Sequence, residues 1–172
     1  CGIFTVNNSS SSDISCFGLG NGTASINNIS NGSGNYSYAW DNGDSTQTVS
    51  NLQAGNYSCT ITDNNWTLCS ATASFTISEP DTLLVDTTIY DVICNGDSNG
   101  IVILNISGGT SPYTESWSGS SQYDLQAGVH YYTVVDSNGC TFSDSVTITE
   151  PLTAITSSIL ITNLDSCLVA DG

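Results

Sequence analysis

Apolar and polar residues alternate along much of this chain with a two-residue beat. Tyr57-Ser58-Cys59-Thr60-Ile61-Thr62 and Ala73-Ser74-Phe75-Thr76-Ile77 do so in the first half, Tyr131-Tyr132-Thr133-Val134-Val135 and Ser145-Val146-Thr147-Ile148-Thr149 in the second. Such a beat places one face of each segment in a core and the other in water, which is the pattern of a strand. Gly100-Ile101-Val102-Ile103-Leu104-Asn105-Ile106 is a β-branched run bounded by glycine and reads as a further strand. Asp63-Asn64-Asn65 and Asp136-Ser137-Asn138-Gly139 supply turns between consecutive strands. No stretch carries a useful 3.6-residue period. Short strands divided by closely spaced turn signals predict an all-β fold, specifically tandem immunoglobulin-like β-sandwich modules.

The tandem reading comes from the order of landmarks. Cys16, Trp40, Leu52-Gln53-Ala54-Gly55, Asp63, Cys69 and Glu79-Pro80 recur as Cys94, Trp117, Leu125-Gln126-Ala127-Gly128, Asp136, Cys140 and Glu150-Pro151. Self-similarity of this kind marks modules strung or stacked in an array. It divides the chain into a first module, 1–80 with core repeat 16–80, and a second, 81–151 with core repeat 94–151. Residues 152–172 then read as the start of a truncated third module, because Leu152 to Cys167 repeats the approach that Thr82 to Cys94 makes.

Within each module one local signature sharpens the sandwich expectation. Leu52-x-Ala-Gly55-x-Tyr57-x-Cys59 has the form of a tyrosine corner, in which a hydroxyl closes the turn into a central strand. The matching residues of the second module are His130 and Tyr132, which gives the sole histidine a hydrogen-bonding role in place of the corner hydroxyl. Trp40 and Trp117 fall on an earlier strand and are expected to plug the two cores.

Charge then removes whole classes of partner. The 172 residues hold no Lys or Arg and sixteen Asp and Glu, for a formal charge of -16. Nucleic acid is excluded, since phosphate neutralisation needs clustered cations. Anionic membrane surfaces are excluded on the same ground, and no apolar run approaches the roughly 20 residues of a span, so membrane insertion is not expected.

The seven cysteines fall into two kinds. Cys16 and Cys69, and Cys94 and Cys140, occupy the same two landmarks in each module, and two strand ends meeting side by side in a sandwich would make each pair an intramodule bridge. Closing a loop of about 50 residues stabilises by roughly 4 kcal/mol in the chain-entropy model. A zinc site is the rival, but the chain has no Cys-x-x-Cys and no second His. Cys59 lies at an inward position without an evident mate and reads as a buried thiol. Cys167 is the first-landmark cysteine of the truncated third module. Cys1 is compatible with an acylated lipoprotein residue, a relic of a preceding module, or the edge of the segment. Paired cysteines at this frequency point to an oxidising, extracellular location.

The run Cys94-Asn95-Gly96-Asp97-Ser98-Asn99-Gly100, followed by Gly108-Gly109-x-x-Pro112-Tyr113, Trp117, Leu125-x-Ala127-Gly128, Asp136-x-Asn138-Gly139-Cys140 and Glu150-Pro151, resembles the SprB repeat. The first module resembles it less closely: Cys16-Phe17-Gly18 departs from Cys-Asn-Gly, Asn35-Tyr36 replaces Pro-Tyr, and Asn64-Asn65-Trp66 replaces the Asn-Gly turn. The resemblance implies an immunoglobulin-like module of very large surface adhesins or filaments, exported by type IX secretion in gliding bacteria. It brings no ligand and no catalytic residues.

Candidate chemistry is sparse. Asp41 with Asp44, or Asp97 with Glu115, could be paired carboxylates of a glycosidase, yet nothing separates them from solvated turn residues. No other arrangement converges on His130, so no enzyme activity is expected. Calcium is the one cofactor with candidate ligands: Asp41, Asp44 and Asp97 in oxygen-rich turns, and Glu79 and Asp81 at the module junction. Neither turn matches an EF-hand loop, so ordinary Asx turns are the competing reading. Asn-x-Ser/Thr sequons occur at Asn7, Asn8, Asn21, Asn28, Asn31, Asn35, Asn56, Asn65 and Asn105. Asp81-Thr82-Leu83 and Asp144-Ser145-Val146 look like bacterial O-glycosylation acceptors, which makes Thr82 and Ser145 candidate attachment sites. Trp66, in the irregular turn of the first module only, is the candidate for glycan stacking. The leading expectation is a non-enzymatic segment of a secreted surface fibre, a rigid repeat stalk or wall whose partners are further copies of the repeat, with lateral self-association an open possibility. The alternative is an adhesive module that binds glycans or protein through its loops.

Overall fold

A computed structural model describes residues 4–66, 69–119 and 121–152. The expectations for Cys1, Cys167 and the third-module segment from 153 onward lie outside the described residues. The described residues form eleven strands and no helix. The fold is all-β, as the alternation predicts. The chain divides into two compact units, Cys1–Thr82 with Asn138–Cys140, and Leu83–Ser137 with Thr141–Gly172.

In the first unit, β1 (Thr5–Ser12), β2 (Gly22–Ser30) and β4 (Thr48–Leu52) form one antiparallel sheet in the order β1-β2-β4. The second sheet is β3 (Tyr36–Trp40), β5 (Gly55–Asp63) and β6 (Ser70–Ile77), in the order β3-β5-β6. Both sheets feed one core: Ala24 and Ile26 from β2, Val49 and Leu52 from β4, Trp40 from β3, Cys59 and Ile61 from β5, Phe75 and Ile77 from β6. Register explains the selection. Trp40 pairs with Cys59 and Cys59 with Ala73, so these side chains share the inward face, while Ser58, Thr60, Ser74 and Thr76 alternate outward. The Trp40 indole lies 5.3 Å from the Phe75 ring and donates through Nε1 to the Thr46 carbonyl at 2.8 Å, so burial leaves its polar atom satisfied.

The second unit repeats the plan with fewer strands. β7 (Leu84–Tyr90) pairs with β8 (Ile101–Ser107), and β9 (Thr114–Trp117), β10 (Gly128–Val135) and β11 (Thr141–Ile148) form a sheet in the order β9-β10-β11. The place of β4 is reduced to an isolated bridge between Gly100 and Leu125. Trp117 sits where Trp40 does in register, opposite Tyr132 in place of Cys59, and is only half-buried. Tyr132 supplies the ring the second core needs, 5.3 Å from Trp117 and 6.4 Å from Phe142.

The corner expected from sequence is present in both copies. Tyr57 donates its hydroxyl to the Gln53 carbonyl at 3.0 Å, and His130 Nε2 meets the Gln126 carbonyl at 2.9 Å. Strands β1 and β7 had no counterpart in the sequence reading; in β1, Thr5-Val6-Asn7-Asn8-Ser9-Ser10-Ser11-Ser12 has almost no apolar face and is largely exposed.

Because Trp40 is 4% exposed within the core that both sheets feed, Trp40→Ala is expected to cost about 3–5 kcal/mol of stability. Trp117→Ala is expected to cost less. Urea unfolding midpoints of the two variants check the order, and equal losses would contradict the unequal burial.

Candidate functional site

The feature built with most care in both repeats is the turn that carries the first-landmark cysteine. Each turn follows an edge strand and is tied to the far end of the last strand of its repeat. Ile14 N–H donates to Ser78 O at 2.9 Å, and Val92 N–H to Thr149 O at 3.0 Å. Asp13 accepts from Ser78 N–H at 2.8 Å, and Asp91 from Thr149 N–H at 2.7 Å. Asn21 accepts from Ser15 N–H at 3.0 Å, and Asn99 from Ile93 N–H at 3.1 Å. Glu79 accepts from Gly18 N–H at 2.8 Å, and Glu150 from Gly96 N–H at 2.7 Å. Leu19 N–H closes on Cys16 O at 3.0 Å, and Asp97 N–H on Cys94 O at 3.1 Å. Gly18 and Gly96 have φ of 72° and 87°, a backbone conformation glycine adopts without cost while its N–H faces the carboxylate.

This geometry overturns the expected cysteine pairing. Cys16 is bonded to Cys140, not to Cys69, and Cys140 is therefore not bonded to Cys94. Cys69 and Cys94 are each disulfide-bonded as well. The physical reason is the length of the last strand. The Cys16 turn is fastened to Ser78 and Glu79 at the end of β6, whereas Cys69 immediately precedes Ser70 at its start. Nine residues of strand at roughly 3.3 Å each separate those points by about 30 Å, far beyond the reach of a disulfide. The same holds for Cys94 at the end of β11 and Cys140 at its start. The two landmarks thus lie at opposite poles of a repeat. The segment Asn138–Cys140 belongs to the first compact unit, where Asn138 Nδ2 also donates to the Ser15 carbonyl at 3.1 Å.

The other sequence candidates do not converge. Asp41 accepts from Ser58 N–H at 2.8 Å and its hydroxyl at 3.0 Å, and Asp44 accepts from Thr46 N–H at 2.8 Å and its hydroxyl at 2.6 Å. Glu79 is committed to Gly18, while Asp81 and Asp97 are exposed. Among the described residues no group of three or more His, Cys, Asp or Glu is placed to hold a metal. The hydrogen bonds of the Thr46 hydroxyl and N–H hold the Asp44 carboxyl below its ordinary value, and those of Ser78 and Thr149 do the same for Asp13 and Asp91.

Sequence reasoning missed one pair of carboxylates. Asp63 and Asp136 are buried, and each accepts from the loop between the second and third strands of its repeat: Asp63 from Ser33 N–H at 2.7 Å, Asp136 from Thr110 N–H at 2.8 Å. Burial pushes the Asp63 carboxyl up, but donors from Ser33, Asn65 and Trp66 outweigh it and the net shift is downward. The signal was the aspartate that opens each Asp-x-Asn turn, which reads as solvated until the loop is folded over it.

Thr82 and Ser145 are exposed, as is Trp66 at 45%. A shallow cleft of about 410 Å³ in the second unit is lined by Tyr123, Asp124, Leu125, Gln126 and His130, with Tyr123 half exposed. No described helix is long and apolar enough to cross a membrane.

The SprB repeat family model matches this chain twice, over residues 8–45 and 87–122. These two stretches begin in β1 and β7 and run through the cysteine turn into the third strand and beyond, so each matched stretch contains the turn described above. No curated protein matches the chain. The SprB repeat is a structural repeat associated with cell-surface proteins, and the chain is similar to it over two separate stretches, the pattern of a tandem repeat.

Cys59, by contrast, is a buried free thiol inside the first compact unit, and burial pushes its pKa up. Native protein treated with a thiol-alkylating reagent at neutral pH is expected to leave Cys59 unmodified, and denaturation is expected to expose it. Rapid modification of the native protein would contradict its placement.

Proposed function

We propose that this chain is a non-enzymatic structural segment of a secreted cell-surface adhesin or filament, acting as a repeat stalk or fibre wall. The observation that carries the reading is the Cys16–Cys140 bond, whose sequence separation is 124. Tension applied before Cys16 and after Cys140 passes through the sulfur bridge, not through the strands between them. Folding alone is a poor guard against sustained pull, because domains are stabilised by only 5–15 kcal/mol. A covalent shunt suits an element that must keep its length under load. Its location is extracellular, where disulfides persist. Its partners are further copies of the repeat, and lateral association between acidic fibres of this kind needs cations or uncharged faces to offset repulsion.

A second reading, an adhesive module that binds glycan or protein, is favoured by Tyr123 exposed beside Asp124 in the cleft of the second unit and by exposed Trp66. An aromatic face next to a carboxylate is the arrangement a sugar ring uses. The stalk reading stands ahead of it because both repeats share the cysteine turn, whereas neither aromatic recurs at its landmark in the other copy.

Single-molecule pulling by the two ends tests the first reading. Under oxidising conditions residues 17–139 are expected to contribute no extension, and reductant is expected to release a length on the order of 400 Å for that loop. Release of several hundred ångströms without reductant would contradict it.

A further inference from the structure

Asparagine followed by glycine is the dipeptide in which a carboxamide is lost most readily, because the glycine amide carries no Cβ beside it and can attack the preceding side chain. The chain holds six such pairs, opening at Asn21, Asn31, Asn42, Asn95, Asn99 and Asn138. Attack requires the carboxamide to rotate onto the following nitrogen, so a hydrogen bond that holds either group opposes it. Asn21 accepts from Ser15 N–H at 3.0 Å and donates to the Ser15 hydroxyl at 2.9 Å. Asn42 accepts from Asp44 N–H at 3.0 Å, while Gly43 N–H donates to Trp40 O at 3.0 Å. Asn95 donates to Pro151 O at 3.1 Å, and Gly96 N–H donates to Glu150 at 2.7 Å. Asn99 accepts from Ile93 N–H at 3.1 Å, and Gly100 N–H donates to Leu125 O at 2.9 Å. Asn138 donates to Ser15 O at 3.1 Å. Asn31 is exposed, and among the described residues no hydrogen bond reaches its side chain or the Gly32 N–H.

The backbone adds a second difference. Asn31 has φ of 61°, and the position it matches in the second unit, two residues before the donor to the buried aspartate, is Gly108 with φ of 67°. Glycine adopts this left-handed conformation without cost, whereas Asn31 carries the penalty of its Cβ. A Cβ at Gly32 would collide with the Tyr36 hydroxyl, so the packing fixes glycine after the one asparagine whose side chain is unrestrained.

We propose that Asn31 is a site of spontaneous modification, the Asn-Gly pair at which this folded chain deamidates first. The Gly32 nitrogen bonds to Asn31 Cγ and gives up its proton, and the carboxamide nitrogen leaves as ammonia. Water then opens the cyclic imide at either carbonyl, to aspartate or to isoaspartate, and no electrons are transferred. Either product adds a negative charge to a chain that already carries a formal -16. Isoaspartate also inserts a methylene into the main chain two residues before Ser33, whose N–H donates to buried Asp63 at 2.7 Å. The lengthened loop no longer seats that carboxylate, so the modification weakens the first unit at its buried acid. The second unit has no equivalent reaction, because Gly108 has no carboxamide to lose.

The test is to age the intact chain in mildly alkaline buffer with its disulfides in place, then digest it at acidic pH with a protease that does not require Lys or Arg. Mass spectrometry reads, at each Asn-Gly pair, the mass gained when an amide NH2 becomes OH, and fragmentation separates isoaspartyl from aspartyl links. The expected result is conversion at Asn31 roughly tenfold faster than at Asn21, Asn42, Asn95 or Asn99, about the factor that one hydrogen bond contributes. In urea the rates should converge. Conversion at Asn31 no faster than at those four in the folded chain would overturn the proposal. So would a ranking that persists unchanged in urea, which would assign it to local sequence, or a glycan already occupying Asn31 in protein from its native surface. An Asn31→Gly variant copies Gly108 and keeps the backbone conformation. Its urea midpoint should hold through the ageing that lowers the midpoint of the unsubstituted chain, and equal losses in both would place the damaging event elsewhere.

Discussion

A chain without a single lysine or arginine must satisfy its carboxylates in some way other than salt bridges, and the organisation of this protein follows from how it does so. The carboxylates at its turns and joints accept backbone N–H groups. Asp13, Asp41, Asp44, Asp63, Glu79, Asp91, Asp136 and Glu150 each take at least one. Hydrogen bonds to an ionised acceptor are roughly twice as strong as neutral ones, and these donors are the groups that turns and strand ends leave unpaired. The acids that give the chain its repulsive net charge are thus the ties that close its loops. Among the described residues no buried side-chain polar atom is left without a partner.

The cysteine turn is the place where this device meets the covalent framework. A glutamate at the end of the last strand holds the glycine two residues after the cysteine, and an aspartate before the cysteine holds the strand end itself. Together they fix the first-landmark cysteine at one pole of its repeat, opposite the second-landmark cysteine. Once the poles are opposite, a Cys16–Cys69 bridge is out of reach, and Cys16 is bonded to Cys140 instead. The proposed stalk role therefore rests on hydrogen-bonded carboxylates and on the position they impose on Cys16.

Much of this was legible in the sequence. Alternation located β5, β6, β10 and β11, a glycine-bounded β-branched run located β8, the landmark series pointed to the repeat, and the corner was readable even where histidine replaces tyrosine. The first strand of each repeat was not, because β1 carries serine and asparagine where a strand normally shows an apolar face, and pairing with β2 decides its structure. The difference between Trp40 and Trp117 was hidden too, since the tryptophans match by position while Tyr132 fills space that Cys59 leaves open. The cysteine pairing went wrong for a geometric reason. Equivalent landmarks name which cysteines correspond, but only the direction of β6 relative to the cysteine turn places them at one pole or two. The calcium candidates Asp41, Asp44 and Glu79 looked like free oxygen donors because a sequence does not reveal which backbone N–H groups a turn will aim at them.

The claim that carboxylate-to-backbone bonds hold this fold is tested most directly by its stability against acid. As pH falls from 7 towards 4 the exposed acids begin to protonate and mutual repulsion declines, which favours the compact state. The groups whose values are held down, Asp13, Asp44, Asp63 and Asp91, stabilise the fold fully above the unfolded aspartate value of about 3.9 and cease to do so as pH drops through their folded values. The measurement is the urea midpoint from pH 7 to pH 2 with the disulfides intact. The account predicts a steep loss below about pH 4, although net charge is then vanishing. A midpoint that stays level or rises down to pH 2 would mean that repulsion alone governs this protein, and would contradict the account.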